Sequence, residues 1–242
     1  MARYLLKFSK KGGIRFISHL DMLRVFQRAF RRAGIDISYS NGYNPHPRIG
    51  FAMPLSLGFE SEAEYLEFRT DTDYGIQQIG DMLNEKMPPG IEAISCRRID
   101  NAGKKTAAAV LARASYTALY RGEDGSMRAE VTDAIVPFLA QEHIVSVKYS
   151  KKKKKDVESD IRPNIYSLSS VSEKRLLFSM MLGAGNSGSL NPEIMMKELC
   201  RFCEVEYRDY EWLYTRTEMF FLDGKGRPRP LDEFGGSLRS NI

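Results

Sequence analysis

The segment Ser18–Gly34 carries both its ends and its faces in its sequence, and so limits what the neighbouring chain can build. Ser18 is a favoured helix N-cap, and Asp21 holds the capping-box position three residues later. Ile17 and Met22 are spaced for a hydrophobic staple, and Gly34 supplies the stop. At about 100° per residue, Met22, Leu23, Phe26, Ala29, Phe30 and Ala33 share one face. Arg24, Arg28 and Arg31 share the opposite one. A helix so one-sided must lie on an apolar sheet, and the flanking segments read as its strands.

Arg3–Ser9 precedes the helix as a strand. Two extended runs follow it, Arg48–Gly58 and Ala63–Thr70, the first demoted to an edge or a bulge by Pro54. A second helix, Asp71–Met87, is closed by Pro88-Pro89-Gly90, and Ile91–Ile99 is a fourth strand. The order β-α-β-β-α-β is the ferredoxin-like pattern. It recurs with strands at Ala114–Arg121, His143–Ser150, Arg175–Leu182 and Tyr207–Leu222. The helices of this second set are Met127–Gln141, which Pro137 must kink or cut, and Pro192–Cys203, capped by Asn191. The expected fold is α+β: two tandem ferredoxin-like domains, each an antiparallel sheet with helices on one face. The first spans residues 1–100 and the second 113–223, with a linker at 101–112 and a flexible, proline- and glycine-rich tail at 224–242.

The chain has 242 residues, 43% hydrophobic and 28% charged, which excludes disordered and low-complexity classes for its bulk. No apolar run reaches the ~18 residues of a membrane span, and the N-terminus lacks a signal-peptide core, so a cytoplasmic protein without membrane contact is expected. Cys96, Cys200 and Cys203 are too few for a disulfide framework or an iron–sulfur cluster. Cys200-x-x-Cys203 lacks the second half of a zinc signature, so neither metal nor cofactor is expected.

Charge is unevenly placed. Residues 1–50 hold ten Lys/Arg and two Asp, a net +8, whereas residues 51–100 are net −6. A second basic block runs from Lys151 through Lys152, Lys153 and Lys154 to Lys155. Two separate blocks point to a polyanion partner. Arg15, Arg24, Arg28, Arg31 and Arg48 surround a loop that supplies Tyr39, Asn41, Tyr43, Asn44 and His46. Guanidinium groups for phosphates, aromatic rings for splayed bases and amides for base edges together suit single-stranded RNA. Pro45 and Pro47 stiffen the loop around His46.

Gly183-Ala184-Gly185-Asn186-Ser187-Gly188 matches G-x-G-x-x-G, but Ser189, Leu190 and Asn191 separate it from the helix that begins at Pro192, against a dinucleotide site. Its Gly185 and Asn186 remain candidates for a backbone phosphate contact, as does Arg162 in Asp160-Ile161-Arg162-Pro163. No triad, zinc-protease or Walker motif is present. The weak catalytic candidates are His19 as a base and His46 as an acid in metal-independent RNA cleavage, with Arg15 or Lys10 steadying charge. The bland counterparts of these readings are a solvated arginine face, a structural turn and a surface lysine loop.

Arg15-Phe16-Ile17-Ser18-His19-Leu20-Asp21 is followed by Arg24, Arg28, Ala29, Arg31 and Arg32, then by Tyr39-Ser40-x-Gly42-Tyr43-Asn44-Pro45-His46-Pro47. With Pro54-Leu55-x-Leu57-Gly58 and Glu64-Tyr65, this run closely resembles the bacterial radical-SAM-linked protein family. Asp160–Pro163 and Gly183-Ala184-Gly185 look like that family's second-half motifs, and Tyr43 stands where Phe is usual. The resemblance implies a domain of unknown function encoded beside, or fused to, a cobalamin-binding radical-SAM protein. No C-x-x-x-C-x-x-C motif is present, so the chain would be the companion rather than the radical enzyme. The tandem order is also similar, at fold level, to CRISPR repeat-processing endoribonucleases. The leading expectation is an RNA-binding accessory protein, not itself an enzyme, that presents RNA to a modifying or processing enzyme, which the resemblance implies is a radical-SAM partner. The alternatives are a protein-interaction module for that partner and a metal-independent endoribonuclease.

Overall fold

The computed structural model describes all residues except 101, 102, 104, 123–125, 151–153, 173–175, 187, 236–239 and 242. The chain is α+β and divides into two compact units, Met1–Ala112 with Arg216–Ile242, and Arg113–Thr215.

The first unit opens with β1 (Ala2–Lys10), a 3-10 turn (Gly12–Phe16) and α1 (His19–Arg32). β2 (Ile49–Phe51), β3 (Glu60–Thr70), α2 (Ile76–Asn84), β4 (Ile91–Arg98) and the short α3 (Ala107–Val110) follow. The α1 start is as its sequence demands. Ser18 Oγ accepts the Asp21 N–H at 3.2 Å and donates to the Asp21 carboxylate at 2.7 Å. Met22, Phe26, Ala29 and Phe30 are buried against Tyr4, Leu6 and Phe8 of β1 and Leu66 and Phe68 of β3. Ile79 and Leu83 of α2, with Ala93 and Cys96 of β4, complete this core. Phe26 sits at its centre, edge-on to Phe8 at 4.7 Å. The strand order is β4-β1-β3-β2, each pair antiparallel. β2 is only three residues long because the run from Arg48 leaves the sheet before Pro54.

The second unit contains β5 (Leu111–Tyr120), α4 (Ser126–Asp133), α5 (Ile135–Leu139), β6 (Val145–Ser150) and β7 (Lys155–Asp160). β8 (Ile165–Ser170), β9 (Leu177–Gly183), α6 (Pro192–Phe202) and β10 (Trp212–Leu222) come next. The break expected from Pro137 falls at Ala134, because a proline has no N–H to donate to the carbonyl four residues back. Asn191 caps α6 by accepting the Glu193 N–H.

Two expectations are corrected here. The strand at His143–Ser150 is not a member of the larger sheet; as β6 it pairs only with β7 in a separate hairpin. Its place is taken by β8, and the order is β10-β5-β9-β8. Neither β7, Lys-Asp-Val-Glu-Ser-Asp, nor β8, with its serines, shows the apolar alternation by which a strand is read.

The last residues return to the first unit, to which Arg216–Leu222 of β10 also belong. Residues from Gly224 on, expected as a loose tail, include β11 (Pro228–Pro230), a 3-10 turn at Leu231–Glu233 and β12 (Ser240–Asn241). β11 pairs with β10 through a turn in which the Asp223 carboxylate accepts the Lys225 and Arg227 N–H groups. Leu231 is fully buried, and Phe234 meets Phe221 edge-on at 5.9 Å. The proline and glycine content marked a hairpin turn rather than disorder. Phe26→Ala is expected to lower the unfolding free energy by about 3–5 kcal/mol in urea titration, since truncating a buried aromatic ring leaves a cavity.

Candidate functional site

The expected site residues of the first unit lie on the 3-10 turn (Arg15), on α1 and on the loop that leads to β2. The loop is pinned at its base: Ser40 N–H donates to the His46 carbonyl, His46 N–H to Ser40 Oγ, and Arg48 N–H to the Ser38 carbonyl. Tyr39 and Pro47 face each other in an isolated antiparallel bridge. Asn41, Tyr43, Asn44 and His46 project from this closed loop and are exposed, Tyr43 completely.

Two open clefts share Pro47 and Ile49 in their walls. One, of about 260 Å³, is lined by Gln27, Phe30 and Arg31 of α1 and by Asp36, Tyr39 and their neighbours. The other, of about 430 Å³, is lined by Arg48, Phe51, Glu67, Arg69, Thr106 and Ala108 among others. Arg28 and Arg31 are exposed and have no ion-pair or hydrogen-bond partner among the described residues. Arg24 is already paired with Asp21 at 2.8 Å, and Arg15 with Glu60 at 3.1 Å, so those two cations are partly neutralised.

His19 is exposed, with its ring edge against Phe51 at 5.1 Å. No hydrogen bond joins it to His46, and neither imidazole has a carboxylate to orient it among the described residues. The arrangement therefore supplies no assembled acid–base pair. Lys10, the other candidate for charge stabilisation, is buried and donates to the Arg15 and Ile17 carbonyls at 3.3 Å.

A buried charge group beneath this surface escaped the sequence reading. The Arg216 guanidinium grips Glu64 through Nη1, at 2.8 and 3.1 Å to the two carboxylate oxygens. The side chains are only 2% and 5% exposed. Arg216 also donates to the Pro54 carbonyl, so this pair and Lys10 together tie down the two loops around Arg15, Phe16 and Pro54. Burial pushes the Glu64 carboxyl upward while Arg216 pulls it down; burial likewise lowers Lys10 below its ordinary value. Tyr65 beside it donates to Glu218, which also pairs with Lys7.

In the second unit the described part of the lysine run, Lys154 and Lys155, leads into β7 of the β6–β7 hairpin. Lys154 has φ +50° and Lys155 opens β7, both exposed; Lys151, Lys152 and Lys153 lie outside the described residues. The Arg162 side chain holds the Leu139 and Ile165 carbonyls, which commits it to joining α5 to β8. The glycine-rich loop is occupied by protein. A Cβ on Gly183 would fall 2.7 Å from Asn164 Oδ1, and one on Gly188, where φ is +148°, would strike the same atom. The glycines admit the Asn164 side chain, and Gly185 and Asn186 form the turn beyond it, Asn186 being exposed. Cys96 and Cys200 are buried, which drives both thiols up to about 12, and no metal-holding cluster occurs among the described residues.

A family model described as an uncharacterized protein conserved in bacteria (DUF2344) matches residues 3–192. The chain belongs to this family. Among curated proteins no sequence matches it. The DUF2344 span takes in α1, the pinned loop, both clefts, Glu64 and the Asn164–glycine contact. No helix among the described residues is long and apolar enough to cross a membrane.

Two measurements check this account. Arg216→Met alone leaves a buried carboxylate and should cost about 3–5 kcal/mol. Glu64→Leu combined with Arg216→Met should recover more than half of that loss in the same denaturation assay. At the hairpin base, Asp160 accepts from His143 and from the Ile144 and Arg162 N–H groups. These bonds, His143 foremost, hold its carboxyl below the ordinary carboxylate range. Its stabilisation is complete above that range and fades as pH falls through the depressed value. Asp160→Ala should therefore lower the Tm near neutrality, with the gap to wild type closing in acid.

Proposed function

We propose that this chain binds single-stranded RNA across α1 and the pinned 39–48 loop, and presents it to a radical-SAM partner enzyme. The observation that carries the reading is the Arg31–Tyr39 cleft. A guanidinium without an internal partner, a half-exposed aromatic ring and the Gln27 amide line one open groove. Phosphate pairing, base stacking and edge recognition each need one of these groups. Arg28 one turn away and Tyr43 on the loop extend the same chemistry along the surface. The partner rests on the sequence resemblance alone.

The two units are read as ferredoxin-like domains. The support is the strand order β4-β1-β3-β2 in the first and β10-β5-β9-β8 in the second, with the β6–β7 hairpin as an insertion. In both, the order is fourth, first, third, second.

A fluorescence-anisotropy titration with labelled single-stranded RNA tests the binding. Affinity should fall steeply with salt, by a slope of about 0.7 per neutralised phosphate. Arg28→Glu with Arg31→Glu should abolish it, and Tyr39→Ala should cost about 1–3 kcal/mol, the worth of one stacked base. Unchanged affinity in the double variant overturns the reading.

One observation favours a second reading, a docking module without RNA contact. Phe16, Leu20 and Leu57 are large apolar side chains left more than half exposed. Phe16 lies next to Gly58 and beneath the Arg15 guanidinium, 4.7 Å from its ring. Co-purification with the partner that Phe16→Ser with Leu57→Ser abolishes, in protein free of RNA, would favour it.

A further inference from the structure

Three arginines stand side by side across three strands of the first unit. Arg3 on β1 is the register partner of Arg69 on β3. One step beyond the Ile49–Phe68 pair, the Arg69 N–H donates to the Arg48 carbonyl at 3.1 Å, which sets Arg48 directly opposite Arg69. Partners across an antiparallel pair project to the same side of the sheet, about 5 Å apart at Cβ, where like charges repel. Only one of the three is neutralised. Arg3 binds Glu67 through Nε at 2.7 Å and donates to the Gly103 and Lys105 carbonyls. Glu67 also takes the Ala107 N–H, so its oxygens are already engaged. Arg48 spends Nε on the Tyr39 carbonyl, and its two terminal nitrogens find no acceptor among the described residues. The Arg69 side chain has no partner at all among them.

Both free forks line the 430 Å³ cleft between the β2–β3 edge and α3. The exposed remainder of the wall is largely apolar, from Pro47, Ile49, Phe51 and Ala108, with Glu67 and Thr106 as polar members. We infer that Arg48 and Arg69 form a binding site for a phosphate group whose organic body, of nucleoside size, occupies this cleft. Two guanidinium forks on one cleft match a doubly charged group with three oxygens, whereas a carboxylate is satisfied by one fork. The anion removes the cross-strand repulsion that the free protein tolerates. The cleft volume falls within the ~300–1,000 Å³ of small-molecule sites, and an apolar wall with two placed cations is their usual composition. The group can arrive on a free mononucleotide or at the 5′ end of an RNA strand. In the second case it deepens the proposed RNA reading, which places the strand on the far side of Pro47 and Ile49; in the first it stands without it.

Isothermal titration of the full chain with AMP, inorganic phosphate and adenosine tests the site. AMP should bind best, phosphate more weakly and adenosine not measurably. Arg48→Gln with Arg69→Gln should weaken AMP at least tenfold while the Tm of the free protein stays at or above wild type. Ala108→Trp, which fills the cleft from its other wall and leaves both arginines in place, should also weaken AMP. Arg28→Glu with Arg31→Glu should leave AMP binding intact, so a failed RNA assay and a failed phosphate site are separately visible. A pair of trinucleotides with 5′-phosphate or 5′-hydroxyl ends then separates the two sources: preference for the phosphorylated end assigns an RNA terminus, and binding of AMP alone assigns a free nucleotide. Absence of saturable AMP and phosphate binding, or AMP affinity that survives Arg48→Gln/Arg69→Gln, overturns the inference.

Discussion

The Glu64–Arg216 pair is the interaction on which the first unit turns. Two charges taken almost wholly out of water cost several kcal/mol each in lost hydration, and only close geometry with further hydrogen bonds returns that cost. Here the return comes from the double contact to Glu64 and from the Pro54 carbonyl. A hydrophobic pair would give the core as much stability. The ionic one adds direction, because a guanidinium can fasten a carboxylate and a loop carbonyl in one plane. Lys10 does the same for the turn that carries Arg15 and Phe16. The exposed candidate surface is thus held from below by cations that never reach solvent.

What the sequence revealed follows from how local the determining contacts are. The α1 helix is specified by residues within one turn of each other, so its cap, its stop and its buried face read directly. Tyr39 and Arg31 could be named but not brought to one cleft, since that needs the Ser40–His46 and Arg48–Ser38 bonds that fold the loop back. Arg69 was missed because its meaning lies in register, and register between β2 and β3 is fixed by distant packing. Arg216 was missed, and Lys10 was read as a catalytic cation rather than a buried tie, for another reason. Long cations normally mark surface, and nothing near them in sequence announces a buried carboxylate.

The glycine-rich loop shows why a pattern of residue types underdetermines chemistry. Glycine is required wherever backbone must be approached closely, and the approaching group can be a ligand phosphate or an ordinary side chain. In this chain it is Asn164, two residues beyond Arg162. The glycine turn thus receives the residue that directly follows Asp160–Pro163, and its glycines are explained by packing. The Arg48–Arg69 site is the opposite case: no motif marks it, and only the pairing of strands makes two ordinary surface arginines into a cationic fork.

The interleaving of the units also sets a clock for synthesis. Glu64 leaves the ribosome 152 residues ahead of Arg216. At about 5–20 residues per second the gap is roughly 8–30 s, long compared with the folding time of a small domain. Through that interval the carboxylate and the Pro54 loop have no guanidinium to close on, so α1, α2 and their strands can collapse but not lock. The Arg113–Thr215 stretch, by contrast, is continuous in sequence and emerges whole. The unit begun first is thus the one finished last, and a nascent chain stalled before Arg216 would expose its unclosed sheet to chaperones or proteases.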